Sequence, residues 1–238
     1  FSEEGVQEVS NGSFSQEGVE LLSQPVNLVT DFTTNSGGVI VDADTFTTSG
    51  GSLDGIKKSF LTVGKSYKLV IEGDTTSSGF TIGSLGNSGN EYGSGFGTHY
   101  FECINSGLWI RQNTSGTTNI TSFSIVEVGQ DWTLGTGWSI GEDKAICDGS
   151  GRINPTNNSW LSGKTYKFDI EVSDRTAGYF RIQNPAVSIY YVNNINSNGT
   201  YTYYINTIDA NGFVIEAVGF DGSITNISVK EVGQNWTL

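Results

Sequence analysis

The chain is an internal duplication, and that constrains its fold more than any other feature. Val126-Glu-Val-Gly-Gln-Asp-Trp-Thr-Leu134 returns as Lys230-Glu-Val-Gly-Gln-Asn-Trp-Thr-Leu238, 104 positions on. Ile120-Thr-Ser-Phe-Ser-Ile125 returns at the same offset as Ile224-Thr-Asn-Ile-Ser-Val229. Gly64-Lys-Ser-Tyr-Lys-Leu-Val-Ile-Glu72 returns as Gly163-Lys-Thr-Tyr-Lys-Phe-Asp-Ile-Glu171, 99 positions on. Three anchors in one order mean tandem modules of about 100 residues, a common domain size and too long for a solenoid unit.

Each module reads as strands. Tyr67, Leu69 and Ile71 alternate with Lys68 and Glu72, and Tyr166, Phe168 and Ile170 with Lys167, Asp169 and Glu171, the period-two signature of half-buried strands. Similar runs follow at Tyr179–Gln183, Val187–Val192, Thr200–Ile205, Phe213–Val218 and Ile224–Val232, divided by Gly, Asn, Ser and Asp. Many short strands at turn-punctuated spacing predict a sandwich or barrel. The expected division is residues 1–24 as an arm or the end of a preceding unit, 25–130 as module 1 and 131–238 as module 2. With no Met in the sequence, Phe1 is not expected to be a native start, and the chain reads as processed, cut or part of something longer.

Composition excludes several classes. A net charge of −13, with 12 scattered Lys and Arg, opposes binding to a phosphate backbone. No apolar run approaches the roughly 20 residues of a membrane-spanning helix. One His and two Cys leave a Cys/His zinc centre short of ligands.

The catalytic patterns dissolve on inspection. Gly137-Trp-Ser-Ile-Gly141 has nucleophile-elbow spacing, but that chemistry needs a strand–turn–helix and a later His, and His99 comes earlier. Asp42/Asp44 and Glu142/Asp143 are sequence neighbours, whereas glycosidase carboxylates face each other across a cleft. They read as solvated turns. Asp209-Ala-Asn-Gly212 begins like a calcium loop without completing it, and reads as a hairpin turn. His99 aligns with Tyr201 and Cys103 with Ile205, an inward position. A bridge from Cys103 to Cys147 would have to join different modules.

Asn105-Ser106, taken as a two-residue hairpin turn, sets Cys103, Leu108, Phe101 and Ile110 on an apolar face. Tyr100, Glu102, Trp109 and Arg111 then share the outer face. Aromatic planes and charged groups together suit a sugar. The same residues suit a protein contact, and plain surface is the third reading. The corresponding positions in module 2 are Thr202, Tyr204, Val214 and Glu216. Trp132 and Trp236, at equivalent places, are expected at the module junction and at a partner contact respectively.

Gly163-Lys-Thr-Tyr-Lys167, Gly199-Thr-Tyr-Thr202 and the closing Gly222-Ser-Ile-Thr-Asn-Ile-Ser-Val-Lys230 resemble jelly-roll carbohydrate-binding-module-like domains. Gly137–Gly141 followed by Lys144-Ala145 is similar to repeats in virion proteins of tailed bacteriophages. The resemblance implies an all-β fold of two tandem antiparallel jelly-roll β-sandwiches. It also implies a non-enzymatic virion structural or appendage protein, a capsid decoration or fibre, whose partners are other virion subunits or copies of itself and host-surface polysaccharide. Its alternative is a carbohydrate-binding pair from a secreted bacterial polysaccharide-degrading protein or adhesin. The family's closing strand often carries a calcium-binding Asp where this chain has Ser122 and Asn226, and a neutral side chain is a poorer ligand for a hard cation. That departure weakens the expectation of a structural calcium, and no other cofactor is implied.

Overall fold

The computed structural model describes residues 4–85, 90–158 and 160–233. The chain opens with two short strands, β1 (Glu4–Gln7) and β2 (Glu17–Glu20), and one helical turn, α1 (Leu28–Asp31). It continues through β3 (Thr33–Asn35), β4 (Gly38–Ile40), β5 (Thr45–Thr48), β6 (Gly55–Ser59), β7 (Ser66–Thr75), β8 (Phe80–Ser84), β9 (Glu91–Ser94), β10 (Gly97–Glu102), β11 (Gly107–Gln112) and β12 (Gly116–Val128). One compact unit is Glu17–Val128, hereafter module 1. Its strands form two antiparallel sheets, β10-β7-β12-β5-β4 with β2 added to β12, and β3-β6-β11-β8-β9.

The remaining strands are β13 (Trp132–Leu134), β14 (Trp138–Gly141), β15 (Lys144–Pro155), β16 (Thr165–Gln183), β17 (Tyr190–Ile195), β18 (Gly199–Asn206) and β19 (Val214–Val232). The second unit combines Gly129–Leu238 with Phe1–Gln16 and is module 2. Here β15, β16 and β19 run through both layers, with register shifts between Gly149 and Gly151 and between Ser173 and Tyr179. One layer is ordered β18-β16-β19-β15-β14 with β1 added to β19, the other β13-β15-β19-β16-β17. Strand for strand this is the order of module 1. The protein is all-β, two tandem antiparallel jelly-roll sandwiches.

The repeated Tyr shows how the duplication works locally. Tyr67 and Tyr166 are both buried on equivalent strands. The Tyr67 hydroxyl accepts from the Thr62 N–H at 2.9 Å, and that of Tyr166 from the Leu161 N–H at 3.0 Å. Before each, a glycine at positive φ (Gly64 at 81°, Gly163 at 75°) turns the chain without Cβ strain. The Gly64 N–H donates to the Cys103 carbonyl and that of Gly163 to the Thr207 carbonyl. Pairing of Phe101 with Tyr67 and of Ile205 with Tyr166 agrees. Cys103 therefore corresponds to Thr207 and His99 to Tyr203, each two residues beyond the sequence alignment.

The N-terminal segment is not a separate arm over residues 1–24. It divides at Gln16/Glu17 and supplies an edge strand to each module. Glu4-Gly-Val-Gln7 and Glu17-Gly-Val-Glu20 are themselves a short repeat. Glu4 lies opposite Val232 and Gln7 opposite Lys230, while Glu17 lies opposite Val128 and Glu20 opposite Val126. Glu4 pairs with Lys167 and Lys230, and Glu17 with Lys68, the counterpart of Lys167. Gln7 accepts from the Val229 N–H at 2.7 Å, and Glu20 from the Ile125 N–H at 2.8 Å. Further on, Val9 and Phe14 are buried. The Trp132 indole N–H donates to the Asn11 carbonyl at 3.0 Å, and its ring lies 4.9 Å from that of Phe14. Trp132 is thus a core residue of module 2, packed on the N-terminal segment.

Candidate functional site

The four residues assigned to one outer face separate. Tyr100 and Glu102 lie on β10, opposite Lys68 and Ser66 of β7. Trp109 and Arg111 lie on β11 between β6 and β8, in the other sheet. Residues 103–106 carry the chain from one sheet to the other, so Asn105-Ser106 closes no hairpin. Phe101 and Cys103 meet Leu108 and Ile110 across the core, and alternation looks the same either way. Trp109 is only 4% exposed, its indole N–H lacks a partner, and the Arg111 guanidinium lies 5.4 Å from its ring. Arg111 pairs with Glu91 at 2.9 Å. The unbroken Gly107-Leu-Trp-Ile110 run carried the signal for a strand covered on both faces.

Tyr204 is 66% exposed and faces outward opposite Lys167. It is the counterpart of Tyr100, which stands opposite Lys68. Trp236 lies outside the described residues. The loop holding Asp209–Gly212 also crosses between layers, from β18 beside the first half of β16 to β19 beside its second half, so it is not a hairpin turn. Ser139 lies on β14, and the positive-φ residues Glu142 and Asp143 turn the chain directly into β15. That is a hairpin, not a nucleophile elbow. Asp42 caps a turn by accepting from the Asp44 and Thr45 N–H groups.

Cys103 and Cys147 are free and buried. Burial raises both thiols, that of Cys147 to about 11. Ser122 and Asn226 lie opposite Glu72 and Glu171 on neighbouring strands. Among the described residues no three His, Cys, Asp or Glu side chains converge. Asp54 escaped sequence reading. Its buried carboxylate accepts from the Ser49 hydroxyl at 2.6 Å and from the N–H groups of Gly51 and Gly37 at 2.9 and 2.8 Å. These donors hold it well below the usual carboxylate range, Ser49 foremost. Donors fill its acceptor sites, so it staples a loop.

The change of repeat offset points to a different place. Glu91 and Tyr190 occupy matching positions 99 apart, while Tyr100 and Tyr204 match at 104. The five extra residues belong to the β17–β18 segment at the open edge of module 2, which crosses from one half of β16 to the other. This segment holds Tyr190, Tyr191, Tyr201, Tyr203 and Tyr204, half of the 10 tyrosines in the chain. Tyr201 and Tyr203 are half-buried, with rings 6.2 Å apart and only 6° from parallel. The Tyr201 hydroxyl donates to the Ser197 carbonyl at 2.9 Å and meets the Ser197 hydroxyl at 2.6 Å. Burial raises the Tyr203 phenol. Tyr191 packs on Trp160, its hydroxyl held by Asn184. On the other side of the edge, Tyr190 is 42% exposed and lies against Arg181. Four of the five Trp are described and all four are buried, so tyrosine supplies the accessible rings.

No family model and no curated protein matches this sequence. Among solved structures, the chain is similar to the N-terminal CBM22-1-CBM22-2 tandem domain from Paenibacillus barcinonensis Xyn10C. The overlay covers 92% of this chain and 100% of that one, at 10% identity and a TM-score of 0.36.

Proposed function

We propose that this chain is a non-catalytic, glycan-binding pair of jelly-roll modules in which the β17–β18 segment is the sugar platform. The observation that carries this reading is the parallel Tyr201 and Tyr203 pair, half-buried in a segment longer than its counterpart in module 1. Flat rings present π faces to the C–H groups of a pyranose, and phenol hydroxyls meet its hydroxyls. Tyr191, Trp160 and Ser197 support the segment with ring contacts and hydrogen bonds, so the platform is formed before any ligand arrives.

Affinity electrophoresis against neutral polysaccharides, followed by calorimetry with an oligosaccharide of the best one, tests the proposal. Tyr201→Ala is expected to weaken binding about tenfold, near 1.4 kcal/mol, with an unchanged melting temperature. Tyr201→Phe should keep most of the affinity. If no glycan binds, or Tyr201→Ala binds like the wild type, the proposal fails.

The resemblance of Gly137–Gly141 and Lys144-Ala145 to phage virion repeats favours a second reading, in which the pair stands on a virion surface as a decoration or fibre. Its partners there would be virion subunits or further copies, and its ligand a cell-surface polysaccharide. The alternative is a secreted protein. Antibody labelling of intact particles separates the two.

A further inference from the structure

The outer face of the layer β13-β15-β19-β16-β17 carries a row of charge. Arg152, Glu216 and Arg181 lie in direct cross-strand register on β15, β19 and β16, and Tyr190 of β17 extends the row. Arg152 donates from Nε and Nη2 to Glu216 Oε1, at 3.1 and 2.9 Å. Arg181 donates from Nε to Glu216 Oε2. Its guanidinium carbon lies 4.3 Å from the Tyr190 ring centroid.

Two guanidinium groups share one carboxylate, so the row carries a net positive charge on a protein of net charge −13. Arg152 Nη1 and both terminal nitrogens of Arg181 hydrogen-bond no described residue, and the Arg152 side chain is 55% exposed. The matching row in module 1 is Gly55, Arg111 and Thr81, with Glu91 at the Tyr190 position. There one Arg meets one carboxylate and the charge closes. A salt ladder serving stability alone would need only such balance.

We infer that this row is a second binding site, selective for an acidic sugar, with the free guanidinium N–H groups taking the carboxylate of a uronate and Tyr190 covering its ring. Guanidinium forks match carboxylates in plane and spacing, and an aromatic ring beside the charge distinguishes a sugar acid from a bare anion. The inference rests on the reading of the protein as glycan-binding, but not on the Tyr201 and Tyr203 platform.

Calorimetry with a galacturonate oligomer, a neutral galactose oligomer of equal length and inorganic polyphosphate tests it. The galacturonate oligomer should bind at least tenfold more tightly than the neutral one, and more weakly as salt screens the charge. Arg152→Ala and Arg181→Ala should each weaken it about tenfold at unchanged melting temperature. Glu216→Gln should strengthen it several-fold, because the negative charge that both Arg side chains share is removed; a purely structural ladder predicts no gain. Tyr201→Ala should leave it unaltered. Equal affinity for the galacturonate and neutral oligomers overturns the inference while leaving the glycan-binding reading intact. Polyphosphate binding as tight as galacturonate overturns it, as does a wild-type galacturonate affinity in both Arg variants. If galacturonate binds as described but Tyr201→Ala leaves neutral glycan binding unchanged, this site stands and the platform falls.

Discussion

The two modules share every strand and differ at one edge. In module 1 the β9–β10 crossing between the two sheets is short, and side chains fill the space around it. Tyr92 stacks on Phe101 at 4.1 Å, and Phe96 meets Phe80 at 4.8 Å. His99 bonds the Gly95 carbonyl, and its ring leaves no space for a Cβ at Gly93, which would fall 2.3 Å from Nδ1. In module 2 the matching segment is five residues longer, and Tyr203 stands where His99 stands. The shared scaffold therefore carries stability, and this edge crossing is where one copy departs without disturbing the rest.

Residues 1–16 offer the largest way to break the comparison. Their deletion should unfold module 2 and spare module 1, with hydrogen exchange rising across Gly129–Val232 but not across Glu17–Val128. Phe14→Ala should cost module 2 about 3–5 kcal/mol through lost burial and the cavity left against Trp132, read as a shift of one calorimetric transition. A single cooperative transition shifted as a whole would show that the modules do not melt independently. Next in size is a transplant. Replacing Glu91–Phe101 with Tyr190–Ile205 should give module 1 a glycan affinity within about tenfold (1.4 kcal/mol) of that of module 2. A folded chimera without added binding would mean that the Tyr pair needs its surroundings.

The smaller effects probe equivalence. Tyr67→Phe and Tyr166→Phe each remove a part-buried hydrogen bond to a backbone N–H and should each cost about 1 kcal/mol. Denaturant unfolding that finds a cost in only one module would end the claim of matching roles. The last is a pH effect on module 1. The Asp54 carboxyl is depressed in the folded state, so its stabilisation is full above the unfolded value near 4 and fades as pH falls toward the folded value. Asp54→Asn should lower the melting temperature at pH 6 and flatten its decline below about pH 4. A decline as steep as in the wild type would assign the acid sensitivity to other carboxylates.

Much of the fold was legible in the sequence, because Gly64–Glu72 and Gly163–Glu171 each report an alternating strand and their recurrence reports the duplication. What alternation does not report is which sheet a strand joins. Phe101 and Ile110 face one core whether 103–106 is a hairpin or a crossing between layers, so the register built on Asn105-Ser106 placed Trp109 beside Tyr100. Partner choice is equally silent for β1. Glu4-Gly-Val-Gln7 looks like Glu17-Gly-Val-Glu20, yet it completes the module whose other strands begin beyond Gly129. Of the site, Tyr204 was visible as an outer aromatic. The Tyr201 and Tyr203 pair was signalled only by the change in repeat offset from 99 to 104, which shows where one copy had gained residues.

The division of module 2 across the chain also orders events during synthesis. Glu20 meets Ile125 after 105 residues, whereas Glu4 meets Lys230 only after 226. At roughly 5–20 residues per second, β1 leaves the ribosome about 10–45 s before its partner strand exists. Module 1 has all its strands while module 2 is still being translated. The longer closure adds only about 0.7 kcal/mol of chain entropy, so the burden falls on time. For that interval Val9 and Phe14 are apolar side chains without a core, on a segment chemically close to the one module 1 uses for its own edge. Folding of module 1 therefore has to select Glu17–Glu20 over Glu4–Gln7 while both are within reach. The direct join from Glu20 into Leu21 and Leu22, where the earlier copy has Glu8 and Val9, gives it the means to do so.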